Sequence, residues 1–308
     1  MKTAFLRIVY ATFVVFGGAY LYVHRESLDA LSAYSVLTLI VLSALFHIGV
    51  AANALQLSAV GHFYKRDISL PRAYAINLVY GYYNLLVPFK GAVALKGYVL
   101  NNIYGLSYLE YLGAMLLTGL TVVVGSLTAI LLGAVLSNTG LGLEETITGG
   151  ANTGKLWILA IVLFCVAGLA LFMNKEKLDG FAGTARAKLE LLTSSKVWII
   201  SLSSYAMFVS ASAARLAILG ASVGSAGVSV WPSLLVANVL ALVRLVAITP
   251  GNVGVREAVI VVLGEVMGLG HQEALAVALG DRAIMVLNQI ASGSILHRRV
   301  LSWMKDAG

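Results

Sequence analysis

Cysteine occurs once in the 308 residues, proline four times, and charged residues make up only 11% of the chain. The lone Cys165 sits in an apolar run and can close no disulfide within the chain, so a stapled secreted module is excluded and no redox or metal chemistry follows from it. A water-soluble globule of this size needs about a quarter of its residues charged. Charge this sparse therefore excludes a cytosolic enzyme or a DNA-binding domain. The five histidines, His24, His47, His62, His271 and His297, are scattered, with no His-x-x-x-His or Asp-x-Asp pattern beside them. No catalytic residue, metal site or cofactor is expected, and no nucleotide-binding loop is present.

What the chain has in abundance is apolar sequence: 59% hydrophobic residues and a mean hydropathy of +0.90. Several apolar runs exceed the roughly 18 residues that span a bilayer. Six full spans are expected, roughly over 4–23, 34–58, 107–136, 155–173, 197–220 and 274–297. The first follows Lys2 and Arg7 and resembles a signal peptide, but no small-x-small cleavage site leads into a soluble region, so it is read as an uncleaved span. Counting basic residues in the loops places twelve, from Lys2 to Lys305, on one side and only Arg25 and Lys155 on the other. The positive-inside rule then puts both termini in the cytoplasm, and the expected location is the plasma (inner) membrane. The net charge of +7 forms no single basic patch or helix face, so no nucleic acid partner is expected.

The four prolines form two pairs, Pro71 with Pro88 and Pro232 with Pro250, and the second pair follows the first at a nearly constant offset. Segments 71–104 and 232–267 are each interrupted by a proline and glycine, as Pro88-Phe89-Lys90-Gly91 and as Pro250-Gly251-Asn252-Val253-Gly254, which break the helical hydrogen-bond ladder. Each reads as a broken re-entrant hairpin, with kinked full spans, eight in all, as the alternative. The same offset maps the second span onto the fifth and the third onto the sixth. Three spans per unit is odd, so the second copy is inverted. The expected fold is an all-α integral membrane protein, with a first repeat over 1–150 and a second over 151–308 forming one membrane domain. Inverted repeats with broken helices are a transporter architecture, and the broken segments hold the substrate.

Seven basic residues fall at membrane depth, Arg7, Lys90, Lys96, Arg215, Arg244, Arg256 and Arg282, against the acids Glu110, Glu257 and Asp281, with Glu265 nearer the outer interface. A charge at the bilayer centre costs on the order of 3 kcal/mol, so each needs a partner or a wet site. Arg7 can snorkel to the headgroups, and Arg215 can do so outward. The surplus of cations is most simply answered by an anionic ligand, and the arginine fork suits phosphate. Polar or small faces run along four segments: Ser201, Ser204, Tyr205, Phe208, Ser212 and Arg215; Tyr74, Asn77, Gly81 and Asn84; Ser233, Ala237, Ala241 and Arg244; and Asp281, Met285, Asn288 and Ser292 beside Arg282 and Gln289. They converge on the two hairpin tips, formed by Pro88 and Gly91 and by Pro250, Gly251 and Gly254, and describe a hydrophilic groove. Cross-pairing of Glu257 with Arg282, or of Arg256 with Asp281, would lock the second hairpin to the last span.

The run from Asn84 to Lys90, continuing to Lys96, and the run Ile248-Thr249-Pro250-Gly251-Asn252-Val253-Gly254-Val255-Arg256-Glu257, followed by Asp281-Arg282, resemble the transmembrane module of lysylphosphatidylglycerol synthase and its stand-alone YbhN-like relatives. The second run is similar to that family's Pro-Gly-x-x-Gly-x-x-Glu signature. The first departs from the pattern, with lysines where arginines are usual and Val93 where an acid is common. The resemblance implies a flippase-like module moving an anionic or aminoacylated phospholipid, or another lipid-linked headgroup, between leaflets. The family's soluble aminoacyl-transferring domain would follow the last span, and this sequence stops at Gly308, so the expectation is that any aminoacylation is done by a separate lipid-headgroup synthase, or not at all. In this reading Lys90, Arg244 and Arg256 meet the headgroup with Asn84, Arg215 captures it near the outer side and Lys96 near the inner, while Glu257, Asp281 and Arg282 hold or gate the second hairpin. Protonation of Glu257 or Asp281 is the candidate coupling step. The alternatives are an ion-coupled carrier of a small anion, an integral-membrane lipid-modifying enzyme, and a non-transporting assembly partner; homodimerisation is left open.

Overall fold

The computed structural model describes residues 34–87, 91–137, 190–223, 228, 230–246 and 250–307, and every element among them is helical. The long helices are α1 (Val36–Phe63), α4 (Tyr108–Ser137), α5 (Ser195–Val223) and α8 (His271–Ala307). Between them lie two pairs of shorter helices, α2 (Leu70–Leu86) with α3 (Gly91–Tyr104), and α6 (Val230–Val243) with α7 (Val255–Val262). The element order long, short, short, long thus occurs twice. Four helices, over Val36–Phe63, Tyr108–Ile130, Ser195–Val223 and His271–Asp306, are long and apolar enough to cross a membrane. They coincide with four of the six expected spans; those over 4–23 and 155–173 lie outside the described residues.

Local sequence explains the boundaries. Ser35 caps α1, its hydroxyl accepting from the Thr38 amide at 3.1 Å. Leu70 and Pro71 open α2, where the missing amide proton of proline costs nothing. The helix stops at Leu86 because proline at 88 forces its predecessor out of the helical region. Val87 is accordingly extended, at φ -112° and ψ 119°. Glu110, one of the acids expected at membrane depth, stands in the first turn of α4. Its carboxylate accepts from the Ser107 amide at 2.7 Å while the Ser107 hydroxyl accepts from the Glu110 amide at 3.3 Å. This reciprocal capping box starts α4. Glu273 likewise caps α8 through the Gly270 amide, at 2.8 Å.

The second broken segment is more irregular. After α6 comes a 3₁₀ turn at Arg244–Val246, then another at Pro250–Asn252, before α7 begins. Gly251 and Gly254 have φ of 58° and 84°. Glycine adopts these left-handed values without the strain that a Cβ brings. A side chain at Gly251 would also meet Arg282 Nη2 at 3.0 Å and Leu85 Cδ2 at 3.2 Å. Helix α7 has 8 residues and α1 has 28 residues. At about 1.5 Å per residue the first is ~12 Å long, far short of the ~30 Å hydrocarbon core, whereas the second reaches ~42 Å.

Helix packing runs through the whole bundle. α1 lies along α5, α2 packs on α1 and α8, α6 on α5 and α4, α3 on α4, and α7 on α8. One apolar core joins α5 to α8 through Leu216, Leu219, Leu240, Ile260 and Val277; another joins the end of α1 to α2 and α3 through Leu57, Ile76, Val99 and Leu100. Outward faces are apolar as well: Val36, Ile199 and Ile295 are exposed by 74%, 65% and 74%. Such an arrangement suits hydrocarbon and not water.

Candidate functional site

Between the two cores lies a cavity of about 330 Å³. Its wall takes residues from all eight helices and from the turns that follow α6. From α2 come Asn77, Tyr80, Gly81 and Asn84; from α3 Lys96; from α4 Thr118 and Thr121; from α5 Ser204, Tyr205, Phe208, Ser212 and Arg215. The second broken segment contributes Arg244, Gly251, Asn252 and Arg256, and α8 contributes Arg282, Met285 and Gln289. The polar faces read from the sequence therefore meet on one wall, although not every member reaches it. Ser233 and Ala237 are buried in the packing around α6, Tyr74 bonds His47 at 2.7 Å, and Asn288 bonds Ser43 at 3.1 Å.

Five basic side chains line this cavity, Lys96, Arg215, Arg244, Arg256 and Arg282, and no carboxylate does among the described residues. The two nearest acids stand behind the wall. Asp281 is fully buried, with Oδ1 accepting from Arg215 Nε at 3.0 Å and Oδ2 accepting from Arg256 Nε at 3.0 Å and Nη2 at 2.5 Å. One carboxylate thus ties α5, α7 and α8 together through charge-assisted bonds. Glu257 accepts from the Gly254 amide at 2.7 Å, closing the first turn of α7, and its other oxygen lies 3.6 Å from Arg282 Nε. Arg282 also donates to the Gly251 carbonyl at 2.7 Å, so the broken turn is pinned to α8 twice.

Both cross-pairs considered from the sequence are formed, and the addition is Arg215. It does not snorkel to an interface: it is only 4% exposed and shares Asp281 with Arg256. The cations without an ion pair among the described residues of the wall are Lys96 and Arg244. Lys96 donates to Asn77 Oδ1 at 2.7 Å and lies over the Tyr80 ring at 5.1 Å, a cation–π contact. Arg244 stacks over Phe208 at 5.1 Å, with its side chain open to the cavity. The two are close enough to repel each other, and Arg244 is close enough to repel Arg256. Asn84 and the glycine tips Gly251 and Gly254 are present as described, Gly91 opens α3, and Pro250 opens its turn. Pro88 and Lys90 lie outside the described residues.

Sequence reasoning missed Tyr80, Thr121 and the α1 amides Asn53 and Gln56, all of which line the wall. A stripe of Gly49, Asn53 and Gln56 in an otherwise apolar span was the available signal for the last two.

Four apolar helices of spanning length, two broken helix pairs and a cavity lined by five cations define a multi-pass membrane protein. Residues 5–293 match the family described as lysylphosphatidylglycerol synthase TM region, and the chain belongs to that family. Neither the curated proteins nor the solved structures contain a match.

Proposed function

We propose that the protein is a lipid transporter of the flippase type, which moves a lipid with an anionic headgroup between leaflets through the basic cavity. The observation that carries this reading is the imbalance of charge: five cations on the wall, answered by two carboxylates behind it. Such an excess at membrane depth calls for an anion, and arginine forks suit phosphate. Family membership supports a membrane protein concerned with phospholipid. The cavity is lined by residues near both breaks, Asn84, Leu85 and Val93 in the first pair and Gly251 and Asn252 in the second, and in transporters built from repeats the broken segments hold the substrate.

Helix pairing supports a two-fold repeat, although the α5–α8 and α3–α8 contacts have no equally strong counterpart, and the odd number of spans in each unit makes the second copy inverted. Exchanging α1 with α5, α2 with α6, α3 with α7 and α4 with α8 turns the α2–α8 contact into α6–α4, α1–α2 into α5–α6, α3–α4 into α7–α8, and α1–α8 into α5–α4, and all of these are present. The α1–α5 contact maps onto itself. In this arrangement the short helices are re-entrant and both termini face the cytoplasm of the inner membrane. In this reading the protein acts as a transporter, and His47, His62 and His297 are engaged with Tyr74, the Ser58 carbonyl and Tyr83 respectively.

The test is dithionite protection of headgroup-labelled phosphatidylglycerol in proteoliposomes. Wild type should translocate the lipid, and Arg244→Ala should lower the rate by at least about tenfold if the guanidinium holds the phosphate with one charge-assisted bond pair. Translocation of a soluble anion and of no lipid would replace the reading with a small-anion carrier.

A further inference from the structure

The cavity wall carries information about the headgroup beyond its phosphate. We propose that it selects a phosphate-linked headgroup bearing uncharged hydroxyls and no amine, so that a glycerol- or sugar-type phosphodiester enters and an aminoacylated one is rejected. This rests on the lipid-transport reading above and narrows its substrate class.

The first argument is the absence of a counter-charge for an ammonium group. No carboxylate lines the cavity among the described residues, and the two that stand behind it are each ion-paired with arginine, Glu257 Oε1 accepting no hydrogen bond. Asp281 has both oxygens on guanidinium groups and is fully buried. Glu257 has one oxygen on the Gly254 amide and the other turned to Arg282. An amine entering the cavity would meet Lys96, Arg244 and Arg256 and, among the described residues, no lining carboxylate. Like charges at close range in a poorly solvated site exclude such a group.

The second argument is a set of uncharged polar atoms with nothing to bond. Asn77 Nδ2, Thr121 Oγ1 and Ser204 Oγ have no hydrogen-bond partner, and their residues, exposed by 8%, 1% and 3%, all line the cavity. Hydroxyls on membrane helices ordinarily bond back to the carbonyl one turn earlier. Thr118, Thr128 and Ser222 do so here, at 2.9, 2.8 and 2.8 Å. Thr121 and Ser204 do not. They come from α4 and α5, and Asn77 from α2, so residues on three helices that border one cavity each carry a buried polar atom without a partner. Asn77 joins the two functions: its oxygen is taken by Lys96 at 2.7 Å, which leaves its amide donor beside that cation. A phosphate held by Lys96 and Arg244 would bring its polar substituent to Asn77, and a hydroxyl, both donor and acceptor, satisfies each of these atoms.

The experiment measures binding to the purified full chain of four probes: dihexanoyl phosphatidylglycerol, dihexanoyl phosphatidylmethanol (equal charge, no hydroxyl), the lysyl ester of the first, and soluble glycerol phosphate. Phosphatidylglycerol is expected to bind about tenfold or more tighter than phosphatidylmethanol and than the lysyl ester, the scale of one or two satisfied hydrogen bonds. Ser204→Ala and Thr121→Val should bring the first ratio toward one by weakening phosphatidylglycerol alone. Equal or tighter binding of the lysyl ester would overturn the proposal, as would an unchanged ratio in variants that elute as folded protein. Should a variant fail to fold, the ranking of the four probes on wild type decides. Binding of none of the anionic lipids would strike the transport reading itself, whereas glycerol phosphate binding as tightly as the lipid would keep the headgroup chemistry and remove the lipid.

Discussion

Arg215, Arg256 and Arg282 are cations whose charge is answered inside the protein, and Lys96 and Arg244 have no such answer among the described residues. That difference predicts opposite phenotypes. Asp281→Asn leaves two buried guanidinium groups without their counter-ion, and breaking a buried pair in this way costs about 3–5 kcal/mol. Its thermal unfolding in detergent should move well below that of wild type. Arg244→Ala removes a charge that has no ion pair among the described residues and is open to the cavity, so unfolding should stay near wild type while lipid translocation falls. A stable Asp281→Asn variant would mean that the three-helix tie through this carboxylate contributes little.

At the scale of elements, the second broken segment is held by Arg282 from two sides and by Glu257 at the start of α7. Gly251→Ala puts a side chain into a left-handed conformation and against Arg282. Strain of about 1–3 kcal/mol is expected from such a residue. Thermal unfolding and translocation rate should both drop, and a variant unchanged in both would show that the turn is free to rearrange. The breaks themselves were legible because proline and glycine act locally: proline at 88 dictates the extended Val87, and the glycines supply the positive φ at the second tip. The pairing of Arg256 and Arg282 with Asp281 and Glu257 was legible because acid and base stand side by side in both motifs, Arg256-Glu257 and Asp281-Arg282. The sharing of Asp281 with Arg215 was not, since that contact depends on how α5 crosses α8. Thr121 escaped notice for a related reason: a threonine on a membrane helix normally satisfies itself, and only the packed bundle shows that this one does not.

For the molecule as a whole, the inverted repeat proposed above carries an orientation with it. Inversion puts the C-terminal end of α1 and that of α5 on opposite sides of the membrane. In a variant with Cys165 replaced, an impermeant maleimide added outside intact cells should label Ser222→Cys and leave Lys65→Cys untouched, both positions being exposed. Equal labelling of the two would make the halves parallel and end the inverted reading. The central claim is that the basic cavity is a path for anionic lipid. It is tested most directly by the initial translocation rates of headgroup-labelled phosphatidylglycerol and phosphatidylcholine in the same proteoliposomes. A rate for the anionic lipid about tenfold or more above that of the zwitterion is the predicted result, since the cavity offers several cations and, among the described residues, no lining carboxylate. Equal rates, or no translocation of either lipid by folded protein, would contradict it.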